Sequence, residues 1–212
     1  LYGALLGDGC IYSNMNSFCI IGNAKLDEEY IYYLRDLCIS VFDLEPQVNF
    51  QDSENVIRLT LNSRKINRFL NDSGFRTGEK SGQDFALPEE LYTEEKLKAV
   101  LRGLFDTDGG IYSHPNTDVM LDITAKNESI HDLIVEISEG LEVSVGVTSD
   151  RVQLYGEEKL DAFLDEVGSS NSRNIKRYLY YKENMKVPEA DSETLLKSRS
   201  YDFDVPFYGF MV

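Results

Sequence analysis

The stretch Leu101-Arg-Gly-Leu-Phe-Asp-Thr-Asp-Gly109 echoes the start of the chain, Leu1-Tyr-Gly-Ala-Leu-Leu-Gly-Asp-Gly9. Leu1, Gly3, Asp8 and Gly9 coincide with Leu101, Gly103, Asp108 and Gly109, and Ile11-Tyr12-Ser13 returns as Ile111-Tyr112-Ser113. An apolar run with small residues four apart lets two helices pack closely. An Asp-Gly at the end of each run then delivers one carboxylate per helix to a shared point. That is the geometry of a paired-acid metal site on a pseudo-twofold axis. One Asp-Gly alone is an ordinary turn dipeptide; two at matching positions favour a shared role.

The intervening sequence keeps step with the duplication. After Asp8-Gly9, strand-like runs Cys10–Ser13 and Ser17–Asn23 flank a polar turn at Asn14-Met-Asn16. After Asp108-Gly109, Gly110–His114 and Asp118–Ala125 flank Pro115-Asn-Thr117. Amphipathic helices follow at Asp27–Phe42, with Tyr30, Leu34, Leu37, Cys38 and Val41 on one stripe, and at Glu128–Leu141, with Ile130, Leu133, Ile134 and Ile137. Second hairpins pair Gln47–Asp52 with Asn55–Asn62, and Glu142–Thr148 with Arg151–Tyr155. Closing helices Arg64–Ser73 and Glu157–Val167 end at Gly74 and Gly168, natural helix stops. Each half therefore reads αββαββα in an α+β chain, and the two halves make a pseudo-dimer. Residues 1–90 form the first repeat with its connection, 91–188 the second, and 189–212 a tail. The connection, Arg76–Thr93, leads to an N-cap at Thr93 and a helix over Glu95–Thr107 that carries the second motif. The first motif helix begins upstream of Leu1 by the same logic, which makes the chain a fragment of a longer polypeptide.

Composition narrows the function. The net charge of −16 argues against a general nucleic-acid binder. It leaves room for a local basic groove on an acidic molecule. Two histidines, and three cysteines without ligand spacing, argue against zinc. The cysteines suit a reducing, cytoplasmic location, and no stretch reads as a signal peptide or a membrane span.

The paired Leu-x-Gly-x-x-x-x-Asp-Gly motif resembles the LAGLIDADG homing endonucleases, above all the single-chain, two-motif form found in inteins. Phe75-Arg-Thr-Gly-Glu-Lys80 with Leu87-Pro-Glu-Glu90 resembles that family's inter-repeat connection. Leu164–Arg173 resembles the end of its second repeat. The resemblance implies a saddle of antiparallel strands for DNA with helices behind it, and a monomer acting on double-stranded DNA at a long asymmetric site. It implies phosphodiester hydrolysis with Mg²⁺ or Mn²⁺. Metal ligands would come from Asp8 and Asp108, with Gly7 and Thr107 beside them. Lys80 matches the first supporting lysine of the family, and Lys176 is the candidate for the second; each can also be read as a solvated surface lysine. Asp106 sits at the family's non-catalytic acid and reads as structural or capping. Tyr201–Val212 resembles the start of an intein's C-terminal splicing segment. Two other roles stay open: a DNA-binding relative that has lost cleavage, serving as regulator or splicing helper, and an intein fragment with a structural role.

Strand alternation selects the DNA-facing candidates. In Val56–Asn62 the buried set is Ile57, Leu59 and Leu61, leaving Arg58, Thr60 and Asn62 outward. In Arg151–Tyr155 it leaves Arg151, Gln153 and Tyr155. Tyr12, Asn14, Tyr112 and His114 follow the Asp face. These side chains can read base edges or touch phosphate, or form a polar solvent face. Asp122 on the same face is expected to repel DNA.

Overall fold

The computed structural model describes residues 1–51, 54–80 and 82–188. The first half runs α1 (Tyr2–Asp8), β1 (Gly9–Ile11), β2 (Ser17–Asn23), α2 (Glu28–Phe42), β3 (Gln47–Gln51), β4 (Val56–Asn62) and α3 (Arg64–Asp72). The second half repeats this as α4 (Glu94–Asp108), β5 (Gly109–His114), β6 (Asp118–Thr124), α5 (Glu128–Gly140), β7 (Gly146–Val147), β8 (Arg151–Tyr155) and α6 (Glu157–Glu166). A further helix, α7 (Ser172–Asn184), follows. Each half builds one four-stranded antiparallel sheet, and the two orders correspond: β1-β2-β4-β3 and β5-β6-β8-β7. The two sheets form the saddle, with the helices behind.

Local chemistry sets the boundaries. Ser63 Oγ accepts the Ile66 amide at 3.3 Å and Asn127 Oδ1 accepts the Ile130 amide at 3.0 Å, so each side chain satisfies a free donor in the first turn of α3 and α5. Gly74 at φ 96° and Gly168 at φ 75° turn the chain left-handed after α3 and α6, where a side chain would be strained.

The centre of the molecule is the contact of α1 with α4. Ala4, Leu5, Leu6, Val100, Leu101, Leu104 and Phe105 are all buried there and join the cores of both halves. Glycine sets the spacing. A Cβ on Gly3 would lie 2.0 Å from the Val100 carbonyl oxygen, and one on Gly103 would lie 2.6 Å from the Ala4 nitrogen. Main chain meets main chain, so no rotamer change could make room.

Three expectations need correction. Val41 is 57% exposed, and Ile31 takes its place in the buried stripe of α2 beside Tyr30, Leu34 and Cys38. Positions 30, 31, 34 and 38 form one helical face, and Val41 lies in the last turn of the helix, where it is left uncovered. The strand expected over Glu142–Thr148 shrinks to Gly146–Val147. Glu142 adopts φ 58° and the Val143 amide donates to the Ser138 carbonyl at 2.8 Å, so this segment finishes α5 rather than pairing with β8. Helix α7 was not anticipated. Its sequence is strongly polar, yet it buries Ile175 and Tyr181 and starts at an Asn171 cap. No helix among the described residues is long and apolar enough to cross a membrane. The splicing-like run 201–212 lies outside the described residues.

Candidate active site and nucleic-acid interface

Helices α1 and α4 end together, and their last residues are Asp8 and Asp108. A Cβ on Gly7 would stand 2.5 Å from Asp108 Oδ2 and 1.9 Å from Thr107 Oγ1. Asp108 thus reaches across the pseudo-axis to the residue that precedes Asp8, and only a glycine at 7 leaves room for it.

Both carboxyls hold their protons more tightly than free aspartate. Asp108 is raised to about 7, first by its burial in protein and then by the negative charge of Asp8, with the cations of Lys80 and Arg173 opposing the shift. Asp8, open to solvent on one side, is raised to about 6, again mainly by desolvation, with Lys80 opposing and Asp27 adding to it. The two titrate as a pair. The raised values show that Lys80 and Arg173 do not fully offset the crowding of the two carboxyls, so a further cation would be accommodated there.

The residues fit a hard divalent ion. Among the described residues no cluster of three or more His, Cys, Asp or Glu side chains could hold a metal. The donors here are two carboxylates and the main-chain carbonyls beside them. Mg²⁺ suits such a set, because it keeps waters and is completed by substrate phosphate oxygens. Thr107 Oγ1 donates within its own helix, to the Gly103 and Leu104 carbonyls at 2.9 and 3.2 Å.

Lys80 lies against this pair. Its Nζ donates to the Leu6 carbonyl at 2.7 Å and to the Gly7 carbonyl. Burial lowers its pKa, while Asp108 and Asp8 pull the other way. The lysine is held from behind: Asn127 Nδ2 donates to the Lys80 and Gln83 carbonyls at 2.6 and 2.9 Å. A cavity beside it, with about 400 Å³ open to water-sized molecules, is lined by Gly7, Lys80, Asp108, Thr124, Lys126 and Asn127.

On the other side the cation is Arg173, not Lys176. Lys176 pairs with Glu29 at 3.0 Å on α2. Arg173, in the first turn of α7, pairs with Asp27 at 3.1 Å, donates to the Gly109 carbonyl at 3.4 Å and acts electrostatically on both Asp8 and Asp108. Sequence reasoning passed over it because α7 was not foreseen; its place one turn before Lys176 was the available signal. Asp106 has the structural part expected of it. It is buried and accepts the amides of Ser170 at 2.9 Å and Asn171 at 3.2 Å, fixing the start of α7.

The strand-borne candidates divide. Arg58 and Thr60 are half-buried, and Asn62, Tyr12, Asn14, Tyr112 and Arg151 are exposed. Asn14 Oδ1 accepts the Asn16 amide at 3.0 Å and so shapes its own turn. Tyr112 lies under the Arg177 guanidinium at 5.3 Å. His114 packs edge-on to Tyr155 with ring centres 5.1 Å apart. Gln153 is buried. Asp122 is not a free repelling charge: it is 2% exposed and paired with Arg151 at 3.1 Å.

Solved structures share this fold. The N-terminal LAGLIDADG domain of DUF199/WhiA matches with a TM-score of 0.53 at 14% identity, over 78% of this chain and 77% of that one. I-DmoI in complex with DNA and Mn matches with a TM-score of 0.51 at 14% identity, over 79% of this chain and 93% of that one. The chain has the LAGLIDADG fold. Full-length DUF199/WhiA from Thermatoga maritima also shares it, with a TM-score of 0.57 at 12% identity, over 88% of this chain and 59% of that one. In sequence, the Replication factor C small subunit of Methanocaldococcus jannaschii is 30% identical over 128 residues, which are 56% of this chain and 7% of that protein. No protein-family profile matches the sequence.

Proposed function

We propose that this chain is a divalent-metal-dependent, site-specific double-strand DNA endonuclease, acting as a monomer and carried within an intein. The observation that supports it most is the meeting of Asp8 and Asp108 at the ends of two glycine-packed helices with Lys80 against them. Both motifs lie in one chain, so a second copy has nothing to add to this centre, and the two unlike halves suit an asymmetric target. The match to 7% of a long host protein supports the intein reading. Residues 1–90 and 91–188 are then the two DNA-contacting repeats, and 189–212 the start of a splicing segment.

Asp8 and Asp108, with Gly7 and Thr107 beside them, would hold Mg²⁺ or Mn²⁺. When bound, the metal supplies Lewis acidity toward the phosphate and lowers the pKa of water. The protein does the rest. Lys80 and Arg173 flank the carboxylates from opposite repeats, so each can hold the non-bridging oxygens of one strand's phosphate and orient a water. Attack forms a new P–O bond and breaks the bond from phosphorus to the 3′ oxygen. The water's proton passes to solvent, and the 3′ oxygen takes one up, leaving a 3′ hydroxyl and a 5′ phosphate.

The test is selection of bound duplexes from a randomised pool, followed by incubation of the enriched site with Mg²⁺. The reading expects linear product from the wild type and none from Asp8→Asn. Enrichment of a site that the wild type never nicks would leave a DNA-binding protein without cleavage. No enrichment at all would remove the nucleic-acid role.

A further inference from the structure

Strand register shows where the two halves of the DNA face part company. Cys10 pairs with Cys19, and Cys19 with Thr60 on β4. In the second half, Gly110 pairs with Asp122, and Asp122 with Gln153 on β8. Asp122 therefore occupies the place of Cys19, and Gln153 that of Thr60. Two pairs further along, on the same face, Arg58 lies opposite Ile21 and Arg151 opposite Thr124, so the two arginines are equivalent. The first half sets a thiol beside its arginine position, and the second sets a carboxylate.

That carboxylate is fully engaged. Asp122 Oδ2 accepts from Arg151 Nη1 at 3.1 Å and from Gln153 Nε2 at 2.8 Å, and Oδ1 accepts from Thr124 Oγ1 at 3.1 Å. Gln153 Oε1 in turn accepts from the Tyr155 hydroxyl. Arg151 stays 47% exposed while Asp122 is buried. By contrast, Arg58 Nε makes no hydrogen bond among the described residues.

We propose that Asp122 is a positioning residue that holds Arg151 to read a guanine in the second half-site, with Gln153 acting as a strut and not as a reader of bases. The inference rests on the DNA-binding reading above. With Nη1 committed to Asp122, the Nε–Nη2 edge of Arg151 is left for DNA. Two parallel donors match N7 and O6 of guanine; adenine offers one acceptor and one donor in the same positions. The Arg151–Asp122 pair carries no net charge, which makes it a poor phosphate anchor and a good directional donor. Gln153 has both ends of its amide bonded inside the protein. Arg58, with no carboxylate among the described residues to aim it, gives the first half-site a weaker preference at the equivalent base.

The experiment is sequencing of duplexes selected from a randomised pool, with binding measured across salt. It uses the full chain as wild type, Asp122→Asn, Arg151→Ala and Arg151→Lys, each checked for native near-UV circular dichroism. The wild type is expected to enrich one guanine. Arg151→Ala and Arg151→Lys lose the preference at that base, with a roughly 5- to 150-fold fall in affinity for the guanine site, and Arg151→Ala leaves the salt slope unchanged. Asp122→Asn keeps the arginine and still relaxes the same base. Undiminished guanine preference in Asp122→Asn overturns the proposal. So does an Arg151→Ala variant that weakens all sequences alike and flattens the slope by about one unit. A wild type that binds and enriches a site without such a guanine defeats this inference alone; a wild type that enriches nothing defeats the DNA-binding reading beneath it.

Discussion

Replacing Gly103 with alanine puts a methyl group where α4 touches α1. In an ordinary helix interior this change is favourable by about 1 kcal/mol, because alanine is the better helix former. Here the new Cβ stands 2.6 Å from the Ala4 nitrogen and 2.9 Å from both the Cα and the carbonyl carbon of Gly3. These atoms belong to a helix backbone, so relief requires the whole of α1 to shift by several tenths of an ångström. Overpacking of a tight core costs about 1–3 kcal/mol, with main-chain overlap at the upper end. The net expectation is a loss of about 1–2 kcal/mol, or a Tm lower by roughly 2–8 °C for a chain of this size. Gly140→Ala is the control. It closes α5 with nothing within 4 Å of a new Cβ, so it should be neutral or stabilising by up to about 1 kcal/mol. Thermal and urea unfolding of both variants in metal-free buffer give the comparison. The same shift moves Asp8 away from Asp108, and misplacement by about 1 Å costs on the order of 100-fold in rate, so cleavage should fall further than stability. If Gly103→Ala proves as stable as Gly140→Ala, the close helix contact is wrong, and the shared site with it.

Asp108 is raised from 3.8 to about 7, so its contribution to stability is complete below about pH 4 and is lost as pH rises through 7. Asp108→Asn cannot titrate; without metal it should be the more stable protein near pH 8, by on the order of 1–3 kcal/mol, and the gap should close on acidification. Parallel stability–pH curves for the two proteins would show that the carboxyl is not crowded. Asp106→Asn leaves the amides of Ser170 and Asn171 with a poorer acceptor; it should cost about 1–3 kcal/mol in urea unfolding and lower cleavage only through a loosened α7. Lys80→Met should lower the cleavage rate at least 100-fold with DNA affinity nearly kept; an unchanged rate would place the lysine outside the chemistry.

Much of this arrangement was legible because it is written twice. The α1 and α4 motifs, the order of strands and the glycines at 74 and 168 each had a partner in the other half, and periodicity did the rest. What escaped the sequence lies where the halves differ. Helix α7 has no counterpart in the first half and holds its place through polar contacts, Asp106 with Ser170 and Asn171 and Asp27 with Arg173. Hydrophobic periodicity does not register such contacts, and Arg173 was missed with the helix. Lys176 follows the right composition one turn too late and meets Glu29. Asp122 read as a repelling charge because its partner, Arg151, is near only through strand register. Val41 followed the helical period but lies in the last turn of α2, where nothing among the described residues covers it.

The central claim is that Asp8 and Asp108 form one cation site together. The direct measurement is electron paramagnetic resonance of Mn²⁺ titrated into the chain bound to its selected duplex, for the wild type, Asp8→Asn and Asp108→Asn. The account predicts protein-bound Mn²⁺ in the wild-type complex and the loss or at least tenfold weakening of that binding in each single variant. Wild-type Mn²⁺ affinity retained in either variant, with the protein folded and still on its DNA, would contradict it.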